Sequence, residues 1–576
     1  MKTNLLYKIF FTVIAVMAIV ILYFIPMELG GDIVEYHGMT DSLIKSRTLR
    51  LTDTAAYNIA TYLSPGYLND PGYYINGVDG DRYPVHFFLY SFLAVPVRLA
   101  LHFLHINELF TLRLTNLILL TGGLFFLMKK FLNTDAQRIA LLLLVFTSPI
   151  VSFIIWPGPD IYFLLLLLIG LFYFFRGSVL KAMCAVALAS WHSQPLLIVV
   201  LAMTGYYLFD SIRLQKTITG QSITILLRPF MYAAGVLALT SLPYLYNLYI
   251  FNTFSPWTLL GDGWTVINGF GIHNASLKKL LEMFFDLDVG LLWYAPLTVI
   301  LGSIVIASRI KEKKTLLLTL TMLLTCFFYQ TNPAWHYGTA GYGPSKHVVF
   351  LLPFFLYFAL QYKRKTKWST VLIAVLALWQ ITILGINGYL APKLSNALHH
   401  SPYATFALQH FPALYNPTPE IFVDRTNHLD IQHPTSAVYK VDGVCKKAYI
   451  LQTDKVLLEK ECGKTPEKYL SFFEDPLKRK ANTYRTIKAK QVTFWPDPAS
   501  CGKEYFTSEQ APFVCMKTKD QVMKETKVFD YERIDTVPNF VFPGIWRIKD
   551  GPHVDITIPP GYIIDYSALN GIYIHY

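Results

Sequence analysis

The sequence predicts an α-helical polytopic membrane protein with a β-rich or α+β domain outside the membrane at its C-terminal end. Three observations predict it. The chain of 576 residues is 53% hydrophobic and only 15% charged, against about 25% charged in soluble domains. Apolar runs of span length recur between residues 7 and 390. Basic residues gather in alternate loops between those runs, so the net charge of +12 reports orientation and not nucleic-acid binding.

The first run, "IFFTVIAVMAIVILYFI" at 9–25, is too long for a signal-peptide core and lacks a small-residue cleavage site, so it reads as a retained span. With it, runs at about 7–25, 111–128, 139–155, 161–175, 179–190, 194–209, 229–251, 291–307, 315–331, 347–361 and 368–390 make eleven candidate spans. With the N-terminus in the cytoplasm, the basic clusters Lys129/Lys130/Arg138, Arg176/Lys181, Arg213/Lys216/Arg228, Arg309/Lys311/Lys313/Lys314 and Lys363/Arg364/Lys365/Lys367 all fall inside. The opposite loops "WPGPD" (156–160) and "WHSQP" (191–195) hold no Lys or Arg. This asymmetry is the positive-inside pattern and places the chain as a multi-pass protein of the plasma membrane, in bacteria the inner membrane. The segment 86–106 carries Pro96 and Arg98, and counting it as a span would put Lys129 and Lys130 outside. It is expected as a helix lying on or dipping into the outer leaflet.

Eleven spans put the C-terminus outside, and the chain then divides into residues 1–409, with a first outer loop at 26–110, and an extracytoplasmic domain at 410–576. Short β-prone runs such as "AVYKV", "HVDITI" and "GIYIHY", separated by Pro and Gly, predict the latter's strands. Cys184 and Cys326 lie in apolar runs, where a thiol is a small hydrophobe. Cys445, Cys462, Cys501 and Cys515 lie beyond the last run as two local pairs, which fits two disulfides in an oxidising compartment. Cys445–Cys462 and Cys501–Cys515 are the obvious pairs among three connectivities, and no CxxC spacing suggests zinc.

Once the loops have sides, the costly polar residues share one side. The outer face holds Asp32 and Glu35, "DGDRYP" at 79–84, Asp160, His192, Trp264 in "GDGW", and Trp335, His336, Tyr342, Lys346 and His347. Acids, bases and aromatics at one interface suit a lipid-linked anionic substrate: cations hold phosphate, carboxylates bind sugar hydroxyls, and Trp or Tyr stacks on sugar faces. Each has a plainer reading beside it. Asp160 is either a site carboxylate or a helix N-cap; His192 is either a ligand or a satisfied interfacial histidine; Lys346 either binds or snorkels. "DGD" at 79–81 reads first as a turn and second as a metal motif, and the His399–His400 pair has no further ligand at metal spacing.

The order of these motifs resembles the GT-C glycosyltransferases, which include protein O-mannosyltransferases, lipid A aminoarabinose transferases and many uncharacterised bacterial members. The stretches that carry the resemblance are "GGDIVEY" (30–36), "DGDRYPVHFFLYSFLAVP" (79–96), "LRLTNLILLTGGLFFL" (112–127), "PD" (159–160), "WHYGTAGYGPSK" (335–346) and "LYNPTPEIFVDRT" (414–426). Asp32 is followed by Ile33 where many relatives have a second acid, and Ser345 separates Gly-Pro from Lys346. The resemblance implies transfer of a sugar from a polyprenyl-phosphate carrier to a hydroxyl of a glycan, lipid or protein acceptor. It implies Asp32 as general base, with Glu35 and Asp160 beside it. Arg82 and Lys346 are implied as phosphate ligands, and His192 and His347 as weaker ones. Tyr83, Trp264, Trp335 and Tyr342 join the substrate-binding set. No cofactor is expected, and dependence on a divalent metal stays open.

Rival readings are a lipid or glycan transporter or flippase, a polymerase or ligase of lipid-linked glycans, and a membrane-anchored interaction protein. A transporter of repeat architecture would show related halves, and no repeat is evident. Eleven spans are excessive for an anchor.

Overall fold

The computed structural model describes residues 3–25, 32–52, 74–156, 158–216, 223–254, 274–332, 335–336, 343, 350–363, 367–386, 398–428, 436–451, 454–463 and 465–470, followed by seven strand segments between 485 and 575. The chain forms two compact units: residues 1–254, 275–330 and 335–397 make the first, and 255–274, 331–334 and 398–576 the second.

The first unit is helical. Its helices are α1 (Thr3–Tyr23), α2 (Asp32–Lys45), α3 (Leu89–Phe103), α4 (Thr111–Lys130), α5 (Asp135–Phe146), α6 (Ser152–Ile155), α7 (Asp160–Phe175), α8 (Val179–Ser190), α9 (Leu197–Lys216) and α10 (Ile223–Phe251). They continue with α11 (Leu277–Phe285), α12 (Leu291–Tyr294), α13 (Pro296–Arg309), α14 (Lys313–Tyr329), α15 (Leu352–Ala359) and α16 (Lys367–Ile386). A two-stranded antiparallel ribbon, β1 (Tyr74–Asn76) and β2 (Arg82–Pro84), sits between α2 and α3 in the chain.

Among the described residues four helical stretches are long and apolar enough to cross a membrane: Leu5–Tyr23, Glu108–Lys130, Gln194–Arg213 and Leu227–Phe251. A fifth counts if 135–146 and 149–155, which meet at a 65° bend, act as one span. This is fewer than the eleven the apolar runs suggest. The runs at 161–175 and 179–190 become α7 and α8, of 16 and 12 residues. At 1.5 Å per residue these are about 24 and 18 Å long, short of the ~30 Å hydrocarbon core. An apolar run of that length marks a buried helix as readily as a span, and α7 is buried along most of its surface. The expected span at 347–361 is represented by α15, eight residues that are all buried, while 344–349 lie outside the described residues.

Segment 86–106 does form a helix, α3, of 15 residues. Arg98, the residue that argued against a span there, is only 3% exposed. Its guanidinium is clamped by Asp41 Oδ1 at 2.8 Å and Glu108 Oε2 at 2.5 Å, and Nη1 donates to the Glu108 carbonyl at 2.8 Å. A buried guanidinium is tolerable only when its charge is paired, so Arg98 ties α3 to α2 and to the turn before α4.

Two further devices set the helix spacing. Gln380 on α16 is fully buried, its Oε1 accepting the Leu297 N–H at 3.0 Å and its Nε2 donating to Thr147 Oγ1 at 2.8 Å. It thereby satisfies a donor at the start of α13 that no intrahelical carbonyl reaches. Gly302 lets α13 approach α15 so closely that a Cβ there would stand 2.6 Å from the Phe355 carbonyl oxygen.

The second unit contains α17 (Pro402–His410), α18 (Pro419–Asn427), β3 (Ala437–Val441), β4 (Val444–Leu451) and α19 (Lys455–Cys462), then β5 (Arg485–Ile487), β6 (Thr493–Trp495), β7 (Phe513–Cys515), β8 (Phe529–Arg533), β9 (Ile545–Ile548), β10 (His553–Ile556) and β11 (Gly571–His575). Antiparallel β11-β4-β3 form one small sheet, and β5-β8-β9-β10-β7-β6 another in which only β10–β7 is parallel. Ala448, Ile450, Leu458 and Ile574 make a small core between the first sheet and α19. Lys447 is buried in β4, its ammonium donating to the carbonyls of Pro412 and Tyr415 and to Asn416 Oδ1, which pins 412–416 to the sheet.

Cys445 and Cys462 form a disulfide, 17 residues apart, that staples α19 to β4. Cys515 lies on β7 opposite Thr493, and Cys501 lies outside the described residues.

Gly302→Val should destabilise the helical unit by about 1–3 kcal/mol, the usual cost of overpacking, read as a lower thermal midpoint in detergent; an unchanged midpoint would contradict the close approach. Replacing both Cys445 and Cys462 by Ala should cost about 3 kcal/mol, the loop-closure value for a ring of this size. Limited proteolysis of 436–470 checks it, and protection equal to wild type would show the staple to be dispensable.

Candidate functional site

Helix α2 begins at Asp32 and carries two acids in its first turn, where the positive end of the helix dipole favours carboxylates. Asp32 and Glu35 are three apart and so share a face. Their surroundings differ sharply. Asp32 keeps a quarter of its side chain exposed, whereas Glu35 is fully buried.

A buried carboxylate needs partners, and Glu35 finds them in a residue that sequence reasoning did not single out. The backbone N–H of His86 donates to Oε1 at 2.7 Å, and His86 Nδ1 lies 2.6 Å from Oε2. The other ring nitrogen, Nε2, faces Asp32 Oδ2 at 3.8 Å. One imidazole therefore stands between a buried acid and a part-exposed one. Burial pushes the Glu35 carboxyl above its ordinary range, and His86 opposes that rise by charge and hydrogen bonding.

The ribbon delivers His86 to this position. β1 and β2 are joined by a turn at 77–81, and Pro84 and Val85 are buried as the chain turns toward α3. Tyr74 on β1 donates its hydroxyl to the Glu35 carbonyl at 3.1 Å. Ser91 and Thr40 both donate to the Tyr36 carbonyl, at 3.1 and 2.7 Å. The Tyr36 ring packs on His86 at 5.3 Å and on Tyr90 at 5.2 Å, so the imidazole has an aromatic wall.

Asp160 is the first residue of α7 and 9% exposed. The loop before it is held by α4: Asn116 Nδ2 donates to the carbonyls of Phe153 and Trp156 at 2.9 and 3.0 Å, and Arg113 donates to those of Ile155 and Ile25 at 3.0 and 3.2 Å. Asn116 also accepts the Tyr90 hydroxyl at 2.9 Å. Burial first, then the carboxylates of Asp32, Glu35 and Asp160, raise the Tyr36 hydroxyl well above its usual value, so the three acids act on one neighbourhood.

His192 enters the same neighbourhood from the turn between α8 and α9. Its Nε2 accepts the Tyr90 backbone N–H at 3.2 Å, and the rings of Phe87, Tyr90 and Tyr162 surround it. Nε2 as acceptor requires the proton on Nδ1. Burial, with a smaller contribution from His86, holds its pKa down to about 3. The side chain is thus a neutral pin for the start of α3, which differs from the cationic role a phosphate ligand would need.

Arg82 and Tyr83 are neighbours on β2 and so point to opposite faces of the ribbon. Arg82 is exposed on β2. Tyr83 donates to Asp79 Oδ2 at 2.7 Å, Asp79 Oδ1 accepts the Asp81 N–H at 3.0 Å, and Asp81 pairs with Arg50 at 2.7 Å. Gly80 takes φ +83° at the corner, so the turn reading of "DGD" matches the geometry. Trp335 is fully buried in another set of contacts, with Lys279 5.9 Å from its ring and His336 beside it. Trp264, Tyr342, Lys346 and His347 lie outside the described residues. Among the described residues no group of three His, Cys, Asp or Glu side chains is placed to hold a metal ion.

The signal for His86 in the sequence is faint: a lone histidine at the head of the apolar "HFFLYSFL", 51 residues from Glu35. Spacing cannot announce a contact made across a loop. No protein-family model, curated protein or solved structure matches the chain.

A neutral buried His192 makes stability acid-sensitive. The unfolded chain takes up a proton near pH 6.5 and the folded chain only at about 3, so stability is complete above the first value and is lost as pH falls below it, by up to about 1.4 kcal/mol per pH unit. Thermal midpoints of His192→Gln between pH 7 and 5 should fall less steeply than those of the wild type; an identical slope would contradict a buried neutral imidazole.

Proposed function

We propose that the chain is an integral membrane glycosyltransferase that moves a sugar from a polyprenyl-phosphate carrier to an acceptor hydroxyl on the extracytoplasmic face. The observation that carries this reading is the placing of Asp32: a part-exposed carboxylate in the first turn of a helix that follows the first span, backed by a second acid and an imidazole. A carboxylate so placed stands where a lipid-borne headgroup arrives.

In the proposed reaction the acceptor oxygen attacks the anomeric carbon, and the bond from that carbon to the carrier phosphate breaks, its electron pair leaving with the phosphate oxygen. Asp32 takes the acceptor's proton as the new bond forms. The leaving phosphate needs cations rather than a strong acid. Arg82, exposed on β2, is the candidate among the described residues, with Lys346 and His347 as further candidates. Asp160 orients the sugar from the start of α7, and Tyr83 and Tyr342 are the aromatic candidates for the binding set. The finer arrangement, eleven spans with residues 410–576 as a β-rich extracytoplasmic domain, belongs to the same reading. The Cys445–Cys462 disulfide supports an oxidising location for that segment.

Asp32→Asn keeps the side chain's shape and removes its basicity. Transfer from polyprenyl-phosphate hexoses or pentoses to envelope acceptors should fall at least ~100-fold, with the protein still monodisperse in lipid nanodiscs. Retained turnover would remove Asp32 from the base role.

A further inference from the structure

If the chain transfers sugars in the way proposed above, the acid that takes the acceptor's proton must be reset before each turnover. Among the described residues, the nitrogen base that faces Asp32 is His86, its Nε2 3.8 Å from Oδ2. We propose that His86, oriented by the buried Glu35 carboxylate, receives the proton that Asp32 takes from the acceptor, so that Glu35–His86–Asp32 works as a proton relay running from the protein interior to the substrate.

Three features support it. Glu35 grips His86 at two points, the backbone N–H at 2.7 Å and Nδ1 at 2.6 Å, so neither the position nor the ring orientation is left to chance. A carboxylate on Nδ1 keeps the proton there and leaves the Nε2 lone pair toward Asp32; the tautomer is fixed by the partner on the opposite nitrogen. The separation of 3.8 Å is longer than a hydrogen bond, but the side chain that must close it, Asp32, is the part-exposed member of the line, and such bonds commonly tighten only when substrate is bound.

The protons balance. The acceptor hydroxyl gives its proton to Asp32 as the sugar–phosphate bond breaks. The proton then passes from Asp32 Oδ2 to His86 Nε2, producing an imidazolium whose Nδ1–H still donates to Glu35. The charge created sits between two carboxylates, where it is stabilised. Return of the proton through Asp32 to the departing phosphate monoester, or to water at the exposed end, restores the starting state. His86 faces Asp32 and Glu35 holds His86, and neither touches the substrate, so they are positioning residues.

Among the described residues, Asp32, Glu35 and Tyr36 from α2 and His192 from the turn between α8 and α9 face His86. His192 is a neutral acceptor for Tyr90, and the Tyr36 hydroxyl is held protonated. In this line the proton is carried by Asp32 and then by His86.

The test uses the full chain in lipid nanodiscs, a panel of radiolabelled polyprenyl-phosphate hexoses and pentoses, and an envelope extract as acceptor. His86→Gln should lower kcat about 100-fold, leave donor KM within about twofold, and alter the pH profile of kcat. Glu35→Gln, which offers Nδ1 an amide donor and so reverses the tautomer, should give the same loss of kcat with donor KM again unchanged. Should His86→Gln fail to fold, Glu35→Gln alone decides. Wild-type turnover with an unaltered pH profile and kcat in the folded variants overturns the relay and leaves the glycosyltransferase reading standing. No wild-type turnover with any of these donors overturns both.

Discussion

A carboxylate that is fully buried must be compensated, and the segment from α2 to α3 is organised around that demand at Glu35. Leaving such a charge unpaired would cost several kcal/mol. His86 supplies both the backbone and the ring nitrogen that meet it. To bring those two nitrogens to a helix 51 residues earlier, the chain must build the ribbon, bury Pro84 and Val85, and start α3 where it does. The cost of burying one acid thus fixes the path of a whole loop.

The same logic repeats outward from Glu35. Arg98, buried in α3, is matched by Asp41 on α2 and by Glu108 before α4. Tyr90 gives its backbone N–H to His192 and its hydroxyl to Asn116, and Asn116 in turn holds the carbonyls of the loop that ends at Asp160. Every link joins a polar group that burial has made expensive to a partner from a distant segment of the chain. Asp32 stands at the edge of this network with part of its surface in the open, which is the arrangement expected of a group that must be both held still and reached.

The sequence made some of this legible and concealed the rest for physical reasons. Composition and the long run at 9–25 identify an apolar helical chain, and α1 forms there. Asp32 and Glu35 were readable because their spacing places them on one helix face, and Cys445 and Cys462 because the two lie close in the chain. Among the described residues fewer helices reach span length than there are apolar runs, because a run such as 179–190 has the composition of a span and the length of a buried helix. His86, Arg98 as a clamp and Gln380 as a pin were hidden, since each acts through a partner far away in the chain. His192 was visible as a residue but not in its role; only the Tyr90 N–H on its Nε2 reveals that it accepts rather than donates.

The claim at the centre is that a buried Glu35 dictates the protonation of His86. Nitrogen-15 NMR of imidazole-labelled protein in lipid nanodiscs observes it directly, with the resonance assigned by its loss in His86→Gln. The account predicts a proton on Nδ1 in a strong hydrogen bond, a bare Nε2, and exchange of the two in Glu35→Gln. A His86 resonance that titrates like solvent-exposed imidazole and is indifferent to Glu35 would contradict it.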